Sequence, residues 1–487
     1  GGLMPLILPG NVASALPTGF DVTNSVRFNP PDAPYFAKTP TGDGNQRTFT
    51  ISVWLKMDIH ASGATHKVFE TGTSTNYFTI YFTTEPYLYV KGRVSSSNVL
   101  ELVPSKAFRD PTAWFHLYVA VDTTISSPEA DRCKIYINGT RVTDFGTATY
   151  PSQNTDFENQ DASEPFEIGV NHAHGSDEHF DGYMAEYMYV DGAVQAIGDF
   201  GEFSEDSPTI WIPKDISGID VNPGAAQASN GNGFYLDFKD SSNLGNDVGV
   251  NAGTDFSENN IVAADQATDT PTNNFCTLNP LYNQTTDQGV VLTEGNLVAY
   301  YSVDSSRSAF GTIPVINGKW YFEVKLTSVG RSPTVGICDI ENWGDINEAA
   351  GNAFHDDAEN FAYGSDGQKY SNGGSSFGNS FTANDIIGVA VDCTNHKLYF
   401  SKNGTWQDSG DPTSGATGTG AAFTITTGGV FVPAVRVRNG TQWAFNFGGC
   451  SAFTISSGNT DGTYGNFEYA PPSGYYALCT KNLAEYG

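Results

Sequence analysis

Residues 114–140 read WFHLYVAVDTTISSPEADRCKIYINGT, and residues 386–405 read IIGVAVDCTNHKLYFSKNGT. Both stretches contain Val-Ala-Val-Asp-x-Thr, then Lys-apolar-Tyr-apolar, then Asn-Gly-Thr. The strict alternation from Phe115 to Asp122 is typical of a strand with one buried face. Asn-Gly supplies the positive φ angles of a tight turn, so each second strand feeds a third. This repeated hairpin predicts an all-β chain of two antiparallel β-sandwiches in tandem.

The composition excludes several classes of protein. A length of 487 residues exceeds one ordinary domain. The 24 basic and 54 acidic residues give a net charge of −30, which repels a phosphate backbone, so we expect no nucleic-acid partner. No apolar run approaches the ~18 residues of a membrane span, and the opening GGLMPLILPG lacks the basic flank of a signal peptide. We therefore expect no membrane insertion and no export signal.

The cysteines are spread along the chain without a CxxC pair. This spacing argues against both a zinc site and a disulfide framework. We expect six buried free thiols, because a free cysteine behaves as a small apolar residue.

Composition and alternation together divide the chain into five regions. We expect an irregular N-terminal arm over 1–20 that packs on a neighbouring subunit, a first sandwich over 21–245, and a connector over 246–289. A second sandwich follows over 290–470, and a tail over 471–487. Residues 241–284 are predicted to be mostly irregular, and less than a tenth of the chain is predicted to be helical.

The order of strand motifs in the first region is specific. SVRF (25–28), TFTISVWLK (48–56), the first hairpin and FDGYMAE (180–186) occur in that order. Together they resemble the laminin-G/concanavalin A-like jelly roll, as it occurs in virion proteins of tailed bacteriophages. The resemblance implies a concanavalin-like β-sandwich.

A second set of motifs follows in the other half of the chain. GKWYFEV (318–324), VGI (335–337), the second hairpin, FVPAV (431–435) and FNFG (445–448) resemble a SPRY (B30.2-type) domain. In that family the sandwich is a scaffold that binds protein or glycan, and loops at one end form the contact surface. The resemblance carries no catalytic motif over to this chain, so function depends on the loops.

These resemblances imply a non-enzymatic virion protein, either a head fibre, a capsid decoration protein or a tail appendage. Its expected partners are other virion proteins, further copies of itself, and host-surface glycan or protein. It would assemble in the cytoplasm of a bacterial host. The alternative is a polysaccharide-degrading glycosidase, which needs two carboxylates beside a sugar bond; the nearest cluster is ENWGDINE, residues 341–348.

Two long loops of the second sandwich are the predicted contact surface. Residues 339–357 carry Trp343, Asp345 and Glu348, and residues 365–380 carry Tyr370 and Asn372. Aromatic rings offer stacking area, and amides and carboxylates offer adaptable hydrogen bonds. The alternative is that Trp343 and Tyr370 fold back onto the sheet.

Two polar clusters of the first sandwich raise the question of a metal ion. His172, His174, Asp177, His179 and Asp181 bring imidazoles and carboxylates together as zinc ligands would, although a polar loop is the simpler interpretation. A calcium site is the other hypothesis for this unit. Four acidic residues are its candidate ligands, although solvated loop side chains are the simpler interpretation: Asp156, Glu158, Asp161 and Glu164. No other cofactor is expected.

Overall fold

The computed structural model describes residues 19–40, 42–58, 65–157, 165–171, 178–223, 231–281, 289–341 and 352–487. The chain divides after Thr272 into two compact units. Antiparallel strands dominate both units, so the predicted fold class, two tandem all-β sandwiches, is confirmed. The predicted N-terminal arm lies almost entirely outside the described residues.

The strands of the first unit are mostly β-branched and aromatic runs, the composition that fits a pleated surface. In chain order they are β1 (Ser25–Phe28), β2 (Tyr35–Lys38), β3 (Thr48–Met57), β4 (His66–Gly72), β5 (Tyr77–Phe82), β6 (Leu88–Val94), β7 (Ser97–Pro104), β8 (Phe115–Asp122), β9 (Cys133–Ile137), β10 (Thr140–Arg141), β11 (Phe145–Thr149), β12 (Phe166–Ile168), β13 (Gly182–Asp191), β14 (Gly201–Phe203), β15 (Trp211–Pro213), β16 (Phe234–Leu236), β17 (Ser257–Asn259) and β18 (Gln266–Ala267).

Two sheets form the first sandwich. One runs in the order β10-β9-β8-β3-β13-β1-β18, with β16 also on β13, and the other runs β11-β7-β6-β5-β4-β12-β2-β17. Their inner faces share one apolar core, in which Phe49 of β3 meets Phe78 of β5 with ring centroids 5.0 Å apart. The core therefore lies between the sheets, as alternation predicts.

The first hairpin occupies the middle of its sheet. Phe115, Leu117, Val119 and Val121 face the core. The opposite side of β8 is also buried, because Phe200, Ile216 and other residues of the segment after β13 cover Tyr118 and Ala120. The expectation of a single buried face is therefore wrong for this strand.

Part of the predicted connector belongs to the first unit. The strand β17 pairs with β2, and β18 pairs with β1. The buried Asp269 accepts hydrogen bonds from Lys56 Nζ at 2.7 Å and Trp114 Nε1 at 2.8 Å. Residues 257–272 are therefore built into the first sandwich rather than free to act as a linker.

The second unit contains a further set of strands and, within the described residues, the one α-helix. They are β19 (Val291–Thr293), β20 (Val298–Tyr301), β21 (Arg307–Phe310), β22 (Lys319–Ser328), β23 (Thr334–Asp339), β24 (Phe361–Gly364), β25 (Gln368–Tyr370), β26 (Gly374–Ser376), β27 (Ile386–Asp392), β28 (Lys397–Lys402), β29 (Thr405–Trp406), β30 (Phe423–Thr424), β31 (Phe431–Val437), β32 (Thr441–Asn446), β33 (Asn459–Thr460), β34 (Asn466–Phe467), β35 (Tyr476–Ala477) and α1 (Thr480–Tyr486).

Two sheets again enclose a core. One has the order β19-β20-β32-β22-β27-β28-β29, with β30 on β28 and β35 on β22, and the other has the order β21-β31-β23-β24-β25-β26. Tyr363 of β24 and Phe400 of β28 meet across the core with ring centroids 5.5 Å apart. The second hairpin, β27 and β28, lies next to the long strand β22, just as β8 and β9 lie next to β3.

The predicted C-terminal tail is part of the second sandwich. The strand β35 pairs in parallel with β22, and Leu483 of α1 is buried in the core. The six cysteines carry free thiols, and Cys450 alone among them is partly exposed. Within the part of the chain that the structure describes, no helix is long and apolar enough to cross a membrane.

Candidate functional site

The sheet β21-β31-β23-β24-β25-β26 has an inner and an outer face. On β31, Val435 and Val437 belong to the core of the second unit, whereas Val432 and Ala434 lie in a separate cluster on the other side. Arg436 alternates with Val435 and Val437, so its side chain shares the outer face. Alternation along one strand thus places a guanidinium beside an apolar patch.

The apolar part of the outer face is a small buried cluster: Phe310, Cys338, Phe354, Ala362, Val432 and Ala434. Phe354 begins a short 3-10 turn, Phe354–Asp356, and packs edge-on against Phe310 with ring centroids 6.3 Å apart. This contact anchors the turn on the sheet. The next residue, His355, is buried, and its burial lowers the pKa of the imidazole to about 4 even though Asp356 opposes the change.

Tyr370 stands at the border between the apolar patch and solvent. A Cβ atom at Gly364 would lie 2.6 Å from Cε2 of Tyr370, so the close approach of this ring requires glycine there. The Tyr370 hydroxyl donates a hydrogen bond to Asp366 Oδ2 at 2.5 Å, and burial raises the pKa of Tyr370 to about 12. The ring is therefore held neutral, fixed in place and half-exposed.

The described parts of the two predicted loops meet at this point. His355 lies edge-on to Tyr370, with ring centroids 4.9 Å apart, and the backbone N–H of Asn372 donates to the His355 carbonyl oxygen at 3.0 Å. Asn372 itself is exposed, in a turn with φ 48°. Tyr370 partly folds back onto the sheet, as the alternative interpretation held. Trp343, Asp345 and Glu348 lie outside the described residues.

Three arginines lie at the polar end of the outer face, and we call Arg331, Arg436 and Arg438 the arginine cluster. Asp304 bridges two of them, with Arg331 Nη1 at 3.0 Å from Oδ2 and Arg438 Nε at 2.5 Å from Oδ1. The hydrogen bond from Arg438 lowers the pKa of Asp304. Arg436 is half-buried, and its Nε donates to Ser306 Oγ at 2.8 Å.

Sequence reasoning found Tyr370 and Asn372 but missed Arg436 and His355. The SPRY motif FVPAV, residues 431–435, ends one residue before Arg436, so that motif assigned no face to the arginine. One signal was available: residues 273–487 contain only four arginines, and two of them, Arg436 and Arg438, follow this run at alternate positions.

The candidate metal residues of the first unit are only partly described. His172, His174 and Asp177 lie outside the described residues. His179 is buried, with Nδ1 at 3.4 Å from the Pro34 carbonyl oxygen, and Asp181 is buried just before β13. Among the residues that the structure describes, no three His, Cys, Asp or Glu side chains are grouped as metal ligands would be.

The candidate calcium ligands are likewise incomplete. Glu158, Asp161 and Glu164 lie outside the described residues. Asp156 pairs with the Arg47 guanidinium through both carboxylate oxygens, at 2.5 and 2.8 Å. Asp156 therefore has an arginine as its partner, and this hydrogen bond lowers the pKa of its carboxyl group.

Comparison with known proteins identifies a domain in each unit. Residues 34–197 match the concanavalin A-like lectin/glucanases superfamily, and residues 319–450 match the SPRY domain. The chain thus contains a concanavalin-like domain and a SPRY domain in that order.

The chain has relatives among animal proteins. It is 34% identical over 103 residues to a Ran-binding proteins 9/10 homolog of Drosophila melanogaster, covering 20% of this chain and 10% of that protein. It is 31% identical over 123 residues to Ran-binding protein 9 of Homo sapiens, covering 23% and 16%. The chain spans a fifth or less of these relatives. The crystal structure of the SPRY domain of human HERC1 matches with 16% identity and a TM-score of 0.26, over 34% of this chain and 95% of that one.

These relatives overturn the interpretation as a bacteriophage virion protein. The matched proteins are Ran-binding proteins of animals, and nothing found links the chain to a phage. The expected roles in a head fibre, capsid decoration or tail appendage are therefore wrong. The expected virion and host-surface partners and assembly in a bacterial cytoplasm are wrong as well. The resemblance of the first region implied a virion role that is wrong, because proteins with a concanavalin-like sandwich have many unrelated functions.

Proposed function

We propose that the chain is a non-enzymatic binding protein that receives a segment of a partner protein on the outer face of its SPRY domain. The observation that carries the proposal is the combination of a fixed, half-exposed Tyr370 and a half-buried Arg436 on one rigid sheet. Tyrosine and arginine are the residue types that dominate the energetics of protein interfaces.

The residues around Tyr370 and Arg436 hold this surface in one conformation, which favours binding. Phe354 belongs to the apolar cluster that Tyr370 packs against, and His355 contacts the Tyr370 ring edge-on. Asn372 is tied to His355 by a backbone hydrogen bond at 3.0 Å. A surface that is already ordered loses little conformational entropy when a partner binds. The relatives of the chain are named as Ran-binding proteins, which agrees with a protein partner for this chain.

A displayed library of random peptides, selected against the immobilised full-length chain, tests the proposal. We expect specific peptides to be enriched. Calorimetric titration with Tyr370→Ala should show affinity at least about tenfold weaker, the usual size for an interfacial aromatic residue. Tyr464→Ala is the control, because Tyr464 is a tyrosine of the same unit that is 40% exposed.

Thermal unfolding of each variant shows whether it is folded. No enrichment of any peptide, or enriched peptides that bind Tyr370→Ala as tightly as the wild type, would contradict the proposed function. Equal losses in Tyr370→Ala and Tyr464→Ala would contradict it as well, because such losses would not be specific to the site.

A further inference from the structure

The chain contains seven Asn-Gly pairs, the sequence in which asparagine most readily loses its side-chain amide. The structure describes both residues of six of them: Asn138–Gly139, Asn232–Gly233, Asn317–Gly318, Asn372–Gly373, Asn403–Gly404 and Asn439–Gly440. In this reaction the backbone nitrogen of the glycine attacks the side-chain carbonyl carbon of the asparagine. Glycine favours the attack because it has no Cβ atom and its main chain rotates easily.

Ring closure moves the side-chain amide, the carbonyl that joins asparagine to glycine, and the glycine N–H. A hydrogen bond to any of these groups opposes the reaction. In two pairs the amide itself is bonded. The Asn138 side-chain oxygen accepts from the His116 N–H at 2.7 Å, and the Asn403 side-chain oxygen accepts from the Ile386 N–H at 2.8 Å.

Three further pairs are held through the peptide group between their two residues. The bonds run from the Gly233 N–H to Asn222 Oδ1 at 2.8 Å, from the Gly440 N–H to the Tyr301 carbonyl oxygen at 2.8 Å, and from Trp320 Nε1 to the Asn317 carbonyl oxygen at 2.6 Å. Five of the six described pairs therefore have at least one reacting group fixed.

The sixth pair, Asn372–Gly373, lacks all of these restraints within the described residues. The Asn372 side chain is exposed and makes no hydrogen bond, and neither its carbonyl oxygen nor the Gly373 N–H is bonded. Gly373 is exposed too, and beyond its chain neighbours no heavy atom lies within 4 Å of the place where a Cβ would stand. The Asn372 N–H donates to the His355 carbonyl oxygen at 3.0 Å, which holds the turn but leaves the reacting groups free.

We propose that Asn372–Gly373 is a self-modification site, at which water converts the asparagine to aspartate and isoaspartate without an enzyme. A solvent base removes the Gly373 amide proton, the nitrogen bonds to Cγ of Asn372, and the bond from Cγ to the amide nitrogen breaks as ammonia leaves. Water then adds to either carbonyl of the resulting succinimide and opens it. One amide and one water molecule give one carboxylic acid and one ammonia molecule, and no electrons are transferred.

The site lies on the face that we propose for partner binding. Isoaspartate places an additional carbon atom in the main chain of the turn between β25 and β26. The Asn372 N–H holds the carbonyl of His355, and the His355 ring contacts Tyr370. A longer turn should therefore displace Tyr370 and weaken partner binding several-fold. This consequence rests on the proposed function, whereas the reaction does not.

The test incubates the native full-length chain at mildly alkaline pH and maps its peptides by mass spectrometry over time. We expect Asn372 to lose its amide before any other described Asn-Gly pair, and the other five pairs are controls within the same molecule. In guanidinium chloride the protecting hydrogen bonds are lost, so all six pairs should react at similar rates.

Two results of the mapping would overturn the proposal. One is a second described pair that reacts as fast as Asn372 in the native chain. The other is an Asn372 that stays intact in the native chain while it reacts in denaturant. The mapping uses the wild-type chain, so it does not depend on the folding of a variant.

The enriched peptides test the consequence for binding. Incubated wild type should lose affinity as Asn372 is converted, whereas incubated Asn372→Gln should keep its own starting affinity, because glutamine would have to close a larger and less favourable ring. Equal affinity of fresh and fully converted wild type would refute the effect on binding. If no peptide binds, the proposed function is contradicted, while the order of deamidation still decides whether the modification site stands.

Discussion

At the scale of single residues, Glu186 shows how burial changes the pKa of a carboxyl group. It lies at a β-bulge of β13, with φ 49°, and is 2% exposed. The Tyr235 hydroxyl donates to Glu186 Oε2, and Oε1 has no partner in the described residues. Burial, which this hydrogen bond only partly offsets, raises the pKa of Glu186 to about 7.

The raised pKa of Glu186 predicts a loss of stability as pH rises from about 4.5 to about 7. Below that window the carboxyl is protonated in the folded and unfolded states, and above it ionised in both. Inside it, unfolding releases a proton, so the free energy of unfolding falls with increasing pH. Relative to Glu186→Gln, the wild type should lose roughly 3 kcal/mol across the window.

Urea denaturation at several pH values measures this difference. Glu205→Gln is the control, because Glu205 is exposed and its variant should follow the wild-type pH dependence. A constant difference in stability between wild type and Glu186→Gln from pH 4.5 to 8 would show that the carboxyl is ionised in the folded protein.

At the scale of elements, the two hairpins share more than their sequence. Asn138 and Asn403 both have positive φ, 48° and 47°. The side-chain oxygen of Asn138 accepts from the His116 N–H at 2.7 Å, and that of Asn403 accepts from the Ile386 N–H at 2.8 Å. In each hairpin the asparagine therefore links the turn after the second strand to the start of the first strand.

Asn403→Ala should destabilise the second unit by two additive effects. Alanine at positive φ costs about 1 kcal/mol, and the lost side-chain hydrogen bonds to Ile386 and Asp385 cost about 1 kcal/mol more. Asn372→Ala isolates the first effect, because Asn372 has the same φ and no side-chain hydrogen bond within the described residues. Chemical denaturation of both variants provides the comparison, and equal losses would contradict the shared role of the turn asparagine.

Elements with strong alternation were predictable from sequence, and short elements were not. The hairpins follow from period-2 patterns and Asn-Gly turns that act locally. The strands β17, β18 and β35 have two or three residues each, and they form only because partner strands are present. The candidate site was predictable only where its residues are visible in the local sequence. Tyr370 and Asn372 stand out in a polar loop, but the surroundings of Arg436 depend on its neighbours in two other strands.

At the scale of the whole molecule, burial governs the chemistry of the cysteines. Burial raises the pKa of Cys133, Cys393 and Cys479 to about 12. A thiol that stays protonated is a poor nucleophile. Native protein should therefore react with a disulfide reagent at no more than one thiol within minutes, at the partly exposed Cys450, and unfolded protein at six.

Cys450→Ser is the matched variant for this measurement. It should remove the fast reaction of the native protein and lower the total in denaturant from six thiols to five. Rapid reaction of two or more thiols in the native wild type would show that the sandwiches open on that timescale.

The edges of the sheets also affect how copies of the chain meet one another. The outermost strands of the four large sheets contain two to five residues, whereas β3, β13 and β22 lie inside and contain ten. An outermost strand of two to five residues offers few unpaired N–H and C=O groups to a passing chain. The described sheets thus expose little template for edge-to-edge aggregation, and a net charge of −30 adds long-range repulsion between molecules.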